Sequence, residues 1–142
     1  METLITRLTG RTFLLRLDAG EDVLNSIKEL IQKESLQDAY VASAIGTLES
    51  CVLHMVMTTG YPPVEHFERW ENKPLELASI DGIIADGVPH LHTVVSDHHM
   101  AYAGHLEEGS RVLYLAEIVI VELMAGLKRV RDEKGILKLI HK

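Results

Sequence analysis

Residues 90–106 read HLHTVVSDHHMAYAGHL, and the reading of this stretch decides the fold. Residues 90–95 combine β-branched residues with apolar/polar alternation, the pattern of a strand. Residues 101–106 have the length and composition of a return strand, and the polar 96–100 between them forms the turn. Two strands joined this closely must run antiparallel, because a parallel pair needs a long crossover. On a strand, residues two apart face the same way, so His90 and His92 share a face with Cα atoms about 6.6 Å apart. A turn centred on His98-His99 sets His105 directly opposite His92, where facing Cβ atoms lie about 4.5–5.5 Å apart. A slip of one residue would send His105 to the other face.

The surrounding sequence repeats this grammar. Residues 12–17, 39–45, 50–57, 112–123 and part of 74–84 read as strands. Gly46 ends the second of these, Asp86-Gly87 and Glu108-Gly109 are turn signals, and 128–140 reads as a hairpin turned at Lys134-Gly135. The charged, proline-containing 60–73 reads as an irregular loop. One helix is expected, over 21–34, with Val23, Ile27, Leu30 and Ile31 on one face and Glu21 and Asp22 in its first turn. The class is therefore α+β: a mainly antiparallel sheet of about seven strands with one flanking helix.

With 142 residues, 46% hydrophobic and 25% charged, the chain is expected to be a single domain over 1–142. No signal peptide is expected, because Glu2, Arg7, Arg11 and Arg16 break up the N-terminal stretch. The apolar 112–127 carries Glu117 and Glu122 and is too short to cross a bilayer. With a single cysteine, Cys51, these features fit a cytoplasmic protein with no membrane partner. Cys51 reads as a small buried residue. A net charge of −7 works against DNA binding, which draws on phosphate attraction. The basic cluster of Lys128, Arg129, Arg131 and Lys134 reads as a solvated strand-turn.

Eight histidines are many for this length, and five lie between 90 and 105. Three imidazoles from His90, His92 and His105 suit zinc, with bonds of about 2.0–2.1 Å; iron, nickel and copper are chemically allowed. Three protein ligands leave a fourth position open for water, a carboxylate or a small-molecule ligand. Glu117, on the apolar strand, is the carboxylate expected nearby. It is a candidate catalytic base, an orienter of a histidine, a direct ligand, or the partner of an arginine. His98 and His99 read as solvated at the turn tip with side chains pointing apart, His54 as packed or at an interface, and His66 and His141 as without a pattern.

The segments Gly87-Val88-Pro89-His90-Leu91-His92, Val95-Ser96-Asp97, Ala103-Gly104-His105-Leu106-Glu107-Glu108-Gly109 and Ala116-Glu117-Ile118-Val119 together resemble the plant and prokaryote conserved (PPC) domain. Leu15-Arg16-Leu17, Gly20-Glu21-Asp22, Ala44-Ile45-Gly46 and the run from Glu76 to Gly82 extend the resemblance over nearly the whole chain. It looks like the stand-alone prokaryotic form. The resemblance implies an antiparallel sheet with a flanking helix, a homotrimer, and a metal such as zinc on His90, His92 and His105. Two departures bear on the hairpin: Ala103 stands where the family usually has a glycine, and the turn is one residue shorter. Plant members carry AT-hooks. The only Gly-Arg here, Gly10-Arg11, has no proline after it. Three functions follow: a metal-binding oligomerisation module, a metal-dependent enzyme acting on a small molecule, and, least supported, a DNA-binding protein.

Overall fold

The computed structural model describes Thr3 and residues 9–142. Glu2 and Arg7, used above to argue against a signal peptide, lie outside these residues. Among the described residues, no helix is long and apolar enough to cross a membrane.

The one helix among the described residues, α1 (Val23–Glu34), starts where Asp22 supplies a cap rather than a first-turn charge. Its carboxylate accepts from the backbone N–H of Asn25 at 3.0 Å and, from outside the helix, that of Gly109 at 2.6 Å. A cap of this kind contributes about 1 kcal/mol. Ser35 ends the helix in the left-handed region (φ 52°), and the N–H of Leu36 returns to the carbonyl of Ile31 at 2.9 Å. Val23, Leu24, Ile27 and Ile31 bury the expected face against the sheet.

Among the described residues, nine strands follow the α+β expectation: β1 (Thr9–Asp18), β2 (Ala39–Val56), β3 (Glu65–Trp70), β4 (Leu75–Ala85), β5 (Val88–Ser96), β6 (Ala101–Leu106), β7 (Arg111–Leu123), β8 (Leu127–Arg131) and β9 (Leu137–His141). Seven form one antiparallel sheet in the order β1-β7-β2-β4-β5-β6, with β3 paired to β2. The strands β8 and β9 form a separate hairpin, as expected from Lys134-Gly135.

Two readings of the sequence are corrected. Residues 39–45 and 50–57 are one continuous strand, because Gly46 is a crossing point and not an end. A Cβ there would lie 2.5 Å from the Leu115 carbonyl oxygen and 2.7 Å from Ala116, so only glycine lets β2 pass that close to β7. The expected loop 60–73 contains β3, paired with β2 from Cys51↔Trp70 to Val56↔Glu65. Its exposed residues include Glu65 and Arg69 beside Phe67, and this mixture hides the strand pattern on an exposed edge.

The length of β2 sets the architecture. Its first half lies between β7 and β4, and its second half between β3 and β6. Because β4 pairs with β5 and β5 with β6, the strands β2, β4, β5 and β6 close into a ring. Leu48, Leu53, Ile80, Leu91, Leu106, Ile118 and Ile120 are buried between this sheet and α1. Cys51 is fully buried, and burial pushes its thiol up to about 11. Arg11 ties three elements together. It donates to Glu122 on β7 through Nε (3.0 Å) and Nη2 (2.9 Å), and through Nη1 to Glu34 at the end of α1 (3.0 Å).

Candidate metal centre

On β5, Leu91, Thr93 and Val95 point into the core, which turns His90 and His92 outward. The buried Thr93 hydroxyl is satisfied by the Ser79 carbonyl at 2.6 Å. On β6, Leu106 is buried and His105 faces the same way as His90 and His92. His92 pairs directly with His105, the register read from the sequence.

That register has a physical lock in Asp97. Its carboxylate accepts from the N–H of His99 (2.7 Å), the N–H of Met100 (2.9 Å) and the hydroxyl of Tyr102 (3.1 Å), and it pairs with Lys73. Lys73 and these donors hold the carboxyl far below its ordinary range. The shorter turn needs no glycine because this side chain takes up its donors. His98 and His99 are exposed at its tip, but their rings touch, with centroids 3.7 Å apart; off the regular strand, successive side chains need not diverge. Ala103 is exposed, so its methyl group is harmless where the resemblance led to an expected glycine. Gly104 differs: a Cβ there would come within 3.0 Å of the His54 carbonyl oxygen.

The three rings form a nearly equilateral triangle. Centroids are 5.4 Å apart for His90–His92, 5.1 Å for His90–His105 and 5.3 Å for His92–His105. One nitrogen from each lies within 4.8 Å of the other two. A tetrahedral ion with bonds of about 2.0–2.1 Å wants nitrogens about 3.3 Å apart, a contraction that small side-chain rotations supply. Burial holds the pKa of His90 below 6.5, helped by the charge of Arg129 and by His92. Burial also lowers His105, against the opposing pull of Glu107. Both shifts favour neutral imidazole, the form that ligates.

Arg129 departs from the expected solvated cluster. It is half-buried, and its Nη2 donates at 3.4 Å to the carbonyl of Ile83, the residue paired with His90. Its Nη1 is buried with no hydrogen-bond partner among the described residues.

The expectation for Glu117 is overturned. It is exposed, and β7 is separated from β5 by β2 and β4. On β7 the even-numbered Ala116, Ile118 and Ile120 take the core, which turns Glu117 to the outer face, opposite Arg16 and Ile45. It is in neither group of side chains placed to hold an ion.

The second such group is His54, His105 and Glu107. His54 on β2 pairs with His105 on β6, with ring centroids 5.2 Å apart. Its Nδ1 lies 3.2 Å from Glu107 and its Nε2 3.3 Å from Glu65. A cavity of about 510 Å³ opens over the three histidines and His54, lined also by Glu65 and apolar Met55 and Val56 but not by Glu107. Sequence reading missed His54 because breaking β2 at Gly46 hid the pairing that brings it to His105.

The profile of the Plants and Prokaryotes Conserved (PCC) domain matches residues 5–124. The chain belongs to this family. Among solved structures similar to this PCC chain is the metal-containing protein from Archaeoglobus fulgidus. It is 25% identical, with a TM-score of 0.80 over 99% of this chain and 100% of that one. A plant- and prokaryote-conserved protein from Pyrococcus horikoshii shares the fold at 24% identity and a TM-score of 0.80, over 100% of this chain and 99% of that one. A curated relative, the bifunctional protein GlmU of a Synechococcus strain, is 28% identical over 113 residues. That match covers 79% of this chain and 17% of the relative's length.

Proposed function

We propose that this PCC domain is a metal-binding module that holds one transition-metal ion, zinc by preference, on His90, His92 and His105, and that it works as a homotrimer. The observation that carries the reading is the triangle of imidazole nitrogens within 4.8 Å, supplied by two strands whose pairing is locked by Asp97. A similar structure at 25% identity is that of a metal-containing protein, which supports the same reading. An all-imidazole set favours zinc among divalent ions available to proteins, with iron, nickel and copper next.

Self-association is supported by the outer face of β1, β7 and β2. Leu14 is 80% exposed, Ile45 53% and Leu115 45%, and Tyr40 stands beside them. These exposed apolar side chains surround the Arg16–Glu117 cross-strand pair, and apolar surface left open in this way marks a contact with another molecule. Across β4 this face runs up to the histidines, because Tyr40 and His90 are paired to the same residue, Ile83, so assembly and metal content are measured separately.

Metal analysis of protein made without an affinity tag is expected to give bound metal, with one ion per chain fewer in His92→Ala. Sedimentation is expected to give a trimer with or without that ion. An undiminished metal content in His92→Ala refutes the metal assignment, and a monomer refutes the assembly.

The cavity favours a second reading, a metal-dependent enzyme or binder of a small molecule. Its volume of about 510 Å³ lies in the range of small-molecule sites, and the same three histidines line it. A bound metal there would supply Lewis acidity and lower the pKa of a coordinated water. The protein's own contribution is a fixed set of neutral ligands and an apolar wall from Met55 and Val56.

A further inference from the structure

We propose that the chain holds a second metal ion, on His54, Glu107 and His105, next to the three-histidine position and sharing His105 with it. This goes beyond the function proposed above.

Three observations carry it. One donor atom each from His54, His105 and Glu107 lies within 4.8 Å of the others, the same closeness as in the first group. Backbone pairing builds the arrangement: His54 stands opposite His105 across β2 and β6, and Glu107 follows His105 by two residues on the same side. The charges are also unbalanced. Among the described residues, His54 is the only ion-pair partner of either Glu65 or Glu107, and no lysine or arginine meets either carboxylate. Two carboxylates therefore converge on one imidazole beside three more histidines. A divalent cation is the group that balances this set, and nitrogen with carboxylate oxygen suits zinc, cobalt, iron or manganese.

Sharing is chemically open to His105, because imidazole has two nitrogens and each can ligate a different ion once its proton has left to solvent. The cavity lined by His54, His90, His92 and His105 leaves room for a ligand beside them. Glu65, on the other nitrogen of His54, orients that ring. The competing account is a protonated His54 held between two carboxylates with no ion at all.

Cobalt(II) titration of tag-free apoprotein, read by visible absorption and by metal content after removal of unbound ion, separates these accounts. The expected result is two ions per chain in the native sequence. His54→Gln and Glu107→Gln each leave one, and His90→Ala also leaves one, with a different spectrum. Glu107→Gln is nearly isosteric and decides the matter if His54→Gln does not fold. Saturation at one ion, unchanged in both His54→Gln and Glu107→Gln, overturns the second site and leaves the three-histidine reading intact. Two ions that survive both substitutions also overturn it. One ion lost in Glu107→Gln but kept in His90→Ala supports this site and refutes the three-histidine one. No binding refutes both.

Discussion

Gly46→Ala is expected to be among the costliest single-methyl additions this chain can receive. The added Cβ would stand 2.5 Å from the Leu115 carbonyl oxygen and 2.7 Å from both Cα and Cβ of Ala116. None of these atoms is the end of a flexible side chain, so β2 and β7 must move apart. Overpacking usually costs about 1–3 kcal/mol, and contacts this short against backbone put the cost near 3 kcal/mol. With a urea dependence of about 2 kcal/mol per molar, the unfolding midpoint falls by about 1.5 M. The control is Gly60→Ala, where a Cβ would meet nothing within 4 Å. There the loss of freedom in the unfolded chain is expected to stabilise by about 0.4–1 kcal/mol. Both variants are compared with the native sequence by urea titration at one protein concentration, because an oligomer's midpoint depends on concentration. A Gly46→Ala midpoint within about 0.3 M of native would refute the claim that only glycine permits the crossing.

Zinc at a hundred times its dissociation constant is expected to raise unfolding stability by about 2.7 kcal/mol, an increment absent in His92→Ala; an equal gain in that variant excludes the histidines as the source. Arg11 holds the Glu122 carboxyl down to about 2 from its ordinary 4.5. A lowered carboxyl stabilises the fold above its unfolded pKa, so this contribution is present at neutral pH and drains away as pH falls from about 4.5 to about 2. Glu122→Gln should flatten the acid limb of the stability curve, and an unchanged limb counts against the pairing. Asp97→Ala leaves the N–H groups of His99 and Met100 without their acceptor. It is expected to lower the thermal midpoint and weaken metal binding together, whereas weaker stability with unchanged binding would show that the register does not depend on this turn.

The hairpin that carries His90, His92 and His105 was legible because it is local. Period-two alternation and a short turn fix which side chains share a face, and both are written within residues 90–106. The helix was legible for the same reason, except that Asp22 looks like a first-turn charge until its acceptor role toward Asn25 and Gly109 is seen. What failed was non-local. Gly46 carries the same symbol as a strand end and as a close crossing, and only Ala116, distant in sequence, distinguishes them. Once β2 was read as two strands, the pairing of His54 with His105 could not be found. The strand β3 was missed because an edge strand faces water with charge. Glu117 was misplaced because a hydrophobic run hides which of its two faces meets the core. The odd positions, including Glu117, look outward with Leu115.

The way β2 is shared among four neighbours governs how the molecule comes apart. Breaking β4, β6 or β7 away strips one side of the same eighteen-residue ribbon. Of the main sheet's strands, only β1 and β5 have no direct pairing with it. Amide protons along the middle of β2 should therefore exchange only when the whole sheet opens. The terminal hairpin of β8 and β9 forms a sheet of its own, so its amides can exchange through a smaller and more frequent opening.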